Sequence, residues 1–362
     1  MTAPPILIAG GGVIGLMTAY ALARAGAVVT VIDSGGPAAT AAAAGMLAPS
    51  FESALHAGAA LEAFARESLA MWRTIAPEIE AGAGMSVDLQ TNGILSVAFA
   101  DEKGAFPEDM EGGAPLSRSE ARALEPSLGG EIAHAWFAEN DGQIDPRALL
   151  AALPVAIARH GGRIMRGQRV AALGTASGAV SGAILSSGAR LAAGAVIVAT
   201  GAAAEALGPL PPRAIFPVKG EALALAREAG APSRVVRTRS AYLCPKADGR
   251  VIIGATEIAR DRSLTADAER IAALKRGAAR AAPAMAHAAE IERWAGLRPA
   301  TADGRPIIGA APDGPAGLFY ALGHYRNGVL LAPATAAALT RLILKGESAA
   351  ALAAFGAERF GR

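Results

Sequence analysis

The chain opens with an apolar run, Pro5 to Ala9, breaks into glycines at Gly10, continues as a helical pattern from Leu16 to Ala25 and turns apolar again from Val28 to Asp33. Strand, glycine turn, helix and strand in that order predict a βαβ unit. Residues 56–80 carry Leu61, Phe64, Leu69 and Trp72 near helical spacing, which predicts an amphipathic helix. From about Met85 to Gly142 the texture changes to short strand candidates among glycine, proline and acidic residues, with a small helix opened by the capping-box pattern Ser117-Arg118-Ser119-Glu120.

Pro146 to His160 is again helical, and Val170 to Leu173, Gly182 to Ser186 and Ala195 to Ala199 read as strands returning to the first, parallel sheet. Ile215 to Leu225, Ala241 to Cys244 and Val251 to Ile253 predict another set of strands, followed by a helix over residues 265–280 and a strand approaching Trp294. The end of the chain predicts a strand at Gly317 to Ala321 and a helix near Ala334 to Lys345. The expected fold is α/β: a doubly wound Rossmann-type domain of residues 1–84, 143–212 and 296–362, with a second α+β domain, 85–142 and 213–295, inserted discontinuously.

Composition alters this picture little. Hydrophobic residues make up 52% and the mean hydropathy is +0.33, yet aromatics are only 4%, and the excess is largely alanine. The stretch Ile6 to Ile32 carries five glycines and Arg24, with no basic residue before it, which argues against a signal peptide and a membrane span. Val329 to Leu344 is interrupted by Pro333 and Arg341 and reads as too short to cross about 30 Å of hydrocarbon. A soluble, cytoplasmic protein without a membrane partner is expected. Cys244 is the single cysteine, which excludes an intrachain disulfide, and its strand-like surroundings predict a buried structural thiol. The five histidines lack metal-ligand spacing, so no metal is expected. A formal charge of +2, without a basic run, argues against a nucleic-acid partner. A homo-oligomer stays open.

Gly10-Gly11-Gly12-Val13-Ile14-Gly15 satisfies G-x-G-x-x-G between a strand and a helix. The glycines, Gly10, Gly12 and Gly15 among them, let backbone approach a pyrophosphate whose charge meets the helix N-terminus. Asp33, 18 residues after Gly15, can accept both hydroxyls of an adenosine ribose, which disfavours NADP. FAD and NAD share this half-site. Three later segments favour FAD: the small-residue run ending Ala43-Ala44-Gly45-Met46-Leu47-Ala48-Pro49, the buried strand ending in Thr200-Gly201, and Gly323 to Pro333, where a helix start can aim N–H groups at an anionic flavin ring.

Together with Pro217-Val218-Lys219-Gly220-Glu221 and Trp294-Ala295-Gly296-Leu297-Arg298-Pro299, these motifs resemble the FAD-dependent D-amino acid oxidase group, and within it the glycine oxidases of thiamine biosynthesis, over essentially the whole chain. The resemblance implies FAD contacts at Val13 and Ile14, Asp33 and Ser34, Ala44, Gly45 and Met46, Val170, and the run His324, Tyr325, Arg326, Asn327, Gly328, Val329 and Leu330. No cysteine lies near the C-terminal motif and no histidine within residues 34–50, so the FAD is expected to be non-covalent.

An amino-acid substrate brings a carboxylate, which a planar guanidinium matches with a bidentate fork. Arg298, framed by apolar residues, is the candidate; the resemblance adds Arg326 as a second substrate-side cation and Tyr242 as the tyrosine that helps hold the carboxylate. It also implies the chemistry: the α-hydrogen of a neutral amine leaves as hydride to flavin N5, an imine forms, and oxygen is reduced to hydrogen peroxide. Ser240 and Glu257 occupy positions where the family varies, so glycine, sarcosine, a small D-amino acid and a cyclic imino acid all remain candidates. A dehydrogenase of the same fold that passes electrons to a quinone would call for a membrane-binding surface, and a tRNA-modifying flavoprotein for a basic face; the sequence displays neither.

Overall fold

Ile6–Ala9, the helix Val13–Arg24 and Val29–Asp33 form the expected βαβ unit, with Ile6 in parallel register with both Val29 and Ala195. The computed structural model describes residues 4–36, 38–51, 58–102, 112–130, 132–211 and 214–360. The six-stranded sheet runs in the order Ile307–Ala310, Leu318–Leu322, Ala195–Val198, Ile6–Ala9, Val29–Asp33, Arg163–Arg166, and only the Ile307–Ala310 edge is antiparallel. Its central strands are buried on both faces, which is why they read as unbroken apolar runs. Ile6 and Ile8 face a helical layer made of Val13–Arg24, Gly58–Ala83, Pro146–Arg159 and Gly328–Lys345, whereas Leu7 and Ala9 face the opposite way.

That opposite face corrects one expectation. Val170–Ala176 and Ala179–Leu185 do not join the parallel sheet; with Arg190–Ala192 they make a separate three-stranded antiparallel sheet. Ser177 and Gly178 between them both take positive φ, 49° and 77°, the backbone of a tight two-residue hairpin. Arg163–Arg166 takes the parallel position instead. Its sequence, Arg-Ile-Met-Arg, is polar at both ends because it is an exposed edge, so it carries no apolar run to detect.

The nine-stranded sheet joins the two remaining stretches of chain. Ala114–Leu116, Ile132–Ala138 and Ile94–Phe99 continue through Val235–Arg237, Tyr242–Pro245 and Arg250–Gly254 to Phe216–Ala226, which also pairs with Ile258–Ala259 and Glu290–Ala300. Residue 296, expected as a domain boundary, falls inside Glu290–Ala300, which stays paired to Phe216–Ala226 as far as Ala300. Leu223, Leu243 and Ile253 pack against Ile271 and Leu274 of the helix Ala268–Ala281. The capping box of the small helix forms with both arms, Ser117 Oγ accepting from Glu120 N–H and Glu120 Oε2 from Ser117 N–H.

Two corrections concern the last helix. It begins at Gly328 rather than Ala334, with Pro333 inside it. Proline supplies no N–H to the carbonyl four residues back. The freed Val329 carbonyl accepts instead from the buried Trp72 indole at 3.1 Å, and Ser68 Oγ accepts from Ala334 N–H at 3.1 Å, so the Gly58–Ala83 helix repairs the interruption. With the preceding turn, Tyr325–Lys345 spans 21 residues at hydropathy 1.4, long and apolar enough by length to cross a membrane, contrary to the shorter reading above. It is 61% buried inside the protein, and packing against Val13–Arg24 and Gly58–Ala83 accounts for its apolar face.

Candidate active site

A cavity of about 1000 Å³ runs from the Gly10 turn to the nine-stranded sheet. That is the upper end of the range for small-molecule sites, about 300–1,000 Å³. At one end backbone forms the wall. Gly10 has φ 122°, and a Cβ there would lie 2.3 Å from Ala199 O; a Cβ on Gly15 would lie 2.0 Å from Gly10 O. Only glycine lets the strand, the turn and the helix approach so closely. The helix N-terminus has no acidic residue in its first turn and no side-chain bond from its cap, Gly12, and its Val13 N–H donates to Thr40 Oγ1 at 3.0 Å. Asp33 lies across the turn against Gly11, its Oδ1 accepting from Gly35 N–H at 3.1 Å.

Two buried acceptors on this wall, Thr200 Oγ1 and Gln168 Oε1, have no hydrogen-bond partner among the described residues. Buried polar atoms are rarely left so. A helix start without an acidic first turn, the Asp33 carboxylate beside the glycine turn and two orphaned polar atoms along one long cavity suit a dinucleotide such as FAD.

Further along, Ala44, Gly45 and Met46 line the cavity, facing the run from Gly323 to Val329. His324 is buried, shares a hydrogen bond with Thr335 Oγ1 at 3.1 Å, and is pushed down to about 3 by burial, so its imidazole is neutral. Tyr325 takes a left-handed φ of 48°, a strained backbone for a side chain of its size, just before the chain enters the Gly328–Lys345 helix.

Long polar side chains on the nine-stranded sheet form the other end. Arg298, on Glu290–Ala300, is registered opposite Val218, and its guanidinium fills the space beside Gly220, where a Cβ would lie 2.3 Å from it. Its Nη1 donates to Thr256 O at 3.1 Å; among the described residues it has no carboxylate partner. Tyr242 packs against Gly254, and burial pushes its phenol up to about 12, against the opposing pull of Arg298, Arg237 and Arg326. Arg326 Nη1 pairs with Glu257 Oε2 at 3.2 Å.

Every residue expected at the site lines this cavity except Gly15 and Leu330. Those two stand behind the wall, Gly15 beneath Gly10 O and Leu330 in the helical core, so their part is to shape it. Val170, on its own an ordinary strand valine, lines the wall beside Gln168. Sequence reasoning missed the Thr40 contact, the Thr256 carbonyl that orients Arg298, and Arg237, which also lines the cavity with its guanidinium 3.1 Å from the Phe51 ring centroid. None of the three has a local signature, since each contact joins separate segments. No cluster of metal-ligating side chains occurs among the described residues.

Residues 5–342 match the profile of the FAD dependent oxidoreductase family, DAO. The bifunctional protein ThiO/ThiG of Synechocystis sp. is 36% identical over 99% of this chain and 54% of its own length, so the chain spans about half of that relative. A glycine oxidase of Geobacillus kaustophilus is 32% identical over 98% of this chain and 96% of its own. The crystal structure of glycine oxidase from Geobacillus kaustophilus superposes with a TM-score of 0.89 at 30% identity, covering 99% of each chain.

Proposed function

Because the chain belongs to the FAD-dependent oxidoreductase family, we propose that it is a glycine oxidase, acting on glycine or an amine of similar size with oxygen as electron acceptor. The observation that carries this reading is Arg298, a guanidinium on the cavity wall held by one carbonyl and by no carboxylate among the described residues. Such a group is matched to the carboxylate of an amino acid. The relation to ThiO/ThiG supports a role in thiazole formation for thiamine, where the glycine imine or its hydrolysis product glyoxylate would be used.

Bound FAD supplies the electron acceptor for the amine and the means of passing two electrons to oxygen. Gly12, the start of Val13–Arg24 and Asp33 would hold its pyrophosphate and ribose, and the start of Gly328–Lys345 would lie near the ring. Arg298 binds the substrate carboxylate with the donors that Thr256 O leaves unused. Tyr242, neutral throughout the physiological range, donates its phenolic hydrogen to the same carboxylate. Two donors fixed on strands of one sheet orient the amine, and the surrounding wall limits water. The neutral His324, already engaged by Thr335, takes no proton from the substrate.

The test uses purified yellow protein with glycine, sarcosine, D-alanine and D-proline. Glycine should bleach the flavin spectrum, and air should restore it with one peroxide formed per substrate consumed. Bleaching by glycine followed by recovery with a soluble quinone but not with air would make the protein a dehydrogenase. No bleaching by any of the four would remove the amine-oxidising assignment.

A further inference from the structure

Alternation along Phe216–Ala226 puts Lys219 and Glu221 on the face opposite Gly220 and Arg298, the face shared with Leu223 and Leu225. Both charged side chains are buried, at 3% and 0% exposure. Charges so placed require partners. Lys219 Nζ lies 2.9 Å from Glu221 Oε1 and 3.3 Å from Asp261 Oδ2, and donates to Ser263 Oγ at 2.8 Å. Glu221 Oε1 accepts from Asp267 N–H at 3.2 Å, and Oε2 accepts from the Thr256 hydroxyl at 3.3 Å. The Thr256 hydroxyl in turn accepts from Glu221 N–H at 2.8 Å. Two side chains of one strand thus hold four positions of the segment that follows Arg250–Gly254.

The same segment meets the cavity on its other side. Thr256 O holds Arg298 at 3.1 Å, and the next residue, Glu257, holds Arg326 at 3.2 Å. Consecutive residues of one loop therefore orient the two cations at the substrate end.

We propose that the Lys219–Glu221 pair is the anchor of a clasp, residues 255–264, that aims Arg298 and Arg326 at the substrate carboxylate, so that it sets substrate affinity from the far side of the sheet. The proposal rests on the reading of Arg298 as the carboxylate site. Bidentate recognition demands that a guanidinium be held in plane and direction, and a single carbonyl contact controls its rotation. Lys219 and Glu221 touch neither substrate nor cofactor; they are positioning residues.

Holoenzyme carrying Thr256→Val, Glu221→Gln or Lys219→Met tests this through the dissociation constant of acetate, read from the visible spectrum of the bound flavin, beside glycine KM, kcat and Tm. Thr256→Val removes the hydroxyl link while keeping the shape of the side chain. The acetate constant and glycine KM should rise about tenfold in Thr256→Val, as for loss of a hydrogen bond to a charged group. The value of kcat should stay within about twofold, since ground state and transition state lose the same contact. Thr256→Ser should recover most of the affinity. Arg270→Ala, which removes a half-exposed arginine 3.7 Å from Glu221 Oε1, should leave it unchanged.

Wild-type acetate affinity in folded Thr256→Val overturns the clasp, as does an equal loss in Arg270→Ala, which would point to long-range charge. If Glu221→Gln or Lys219→Met fails to fold, Thr256→Val decides. Acetate binding without glycine turnover would sink the proposed reaction and leave the clasp judged by the acetate constants alone. A wild-type holoenzyme that binds no acetate overturns the clasp itself.

Discussion

The two ends of the cavity are built from different materials. Around Gly10 the wall is main chain: strand, turn and helix approach until a single Cβ would collide with a carbonyl oxygen. Around Arg298 it is long side chains, aimed by a loop and held by hydrogen bonds and ion pairs. A wall of backbone is intolerant of any added atom, because the main chain has nowhere to move. A wall of side chains tolerates volume but depends on charge and angle. The dinucleotide end should therefore fail sterically and the substrate end electrostatically, and the two failures should be separable in one set of variants.

The largest effect is expected from Gly15→Val. Its Cβ would lie 2.0 Å from Gly10 O, so the strand and helix must part, at a cost of about 3 kcal/mol or more. The variant should lose bound FAD and melt earlier, as measured by flavin absorbance per protein after gel filtration and by Tm. Full flavin retention would break the contrast at this end.

Next comes Arg298→Ala. It should keep FAD and the wild-type Tm but lose about 3–5 kcal/mol in kcat/KM for glycine, on the order of 10²–10⁴-fold. Arg298→Lys should also lose most activity, because an ammonium cannot present the planar fork. An unchanged glycine kcat/KM in either variant would remove Arg298 from the site.

The smallest effect is a pH dependence at the join between the two ends. Burial depresses the folded pKa of His324 to about 3, below the ordinary value near 6.5. The unfolded chain therefore binds the extra proton first as pH falls. The stability gained from keeping His324 neutral is fully present above about pH 6.5 and is lost toward pH 3, on the order of 2 kcal/mol by pH 5. Holoenzyme Tm should fall across that window, and His324→Gln, which retains a polar partner for Thr335, should flatten the fall. Superimposable acid limbs would show that other groups set it.

Recognition of the dinucleotide end required only contiguous residues. The glycine turn, the helix after it and Asp33 are separated by a few steps of chain, so local sterics and periodicity already constrain them. The capping box at Ser117 and the helix from Pro146 were legible for the same reason: each depends on neighbours three or four residues away. The polar edge strand Arg163–Arg166 and the early start of the last helix were not, because partners far along the chain decide both.

By itself, then, the sequence determined the βαβ unit, the glycine turn and the kind of residue each end would carry. Tertiary structure alone decided that Gly220 would make room for Arg298, that Glu257 would meet Arg326, and that Trp72 would satisfy the carbonyl freed by Pro333. The physical reason is range. Backbone sterics and side-chain periodicity act over a turn or a strand, whereas cross-strand register and the pairing of buried polar groups are selected only when distant segments are packed together and every enclosed donor must find an acceptor.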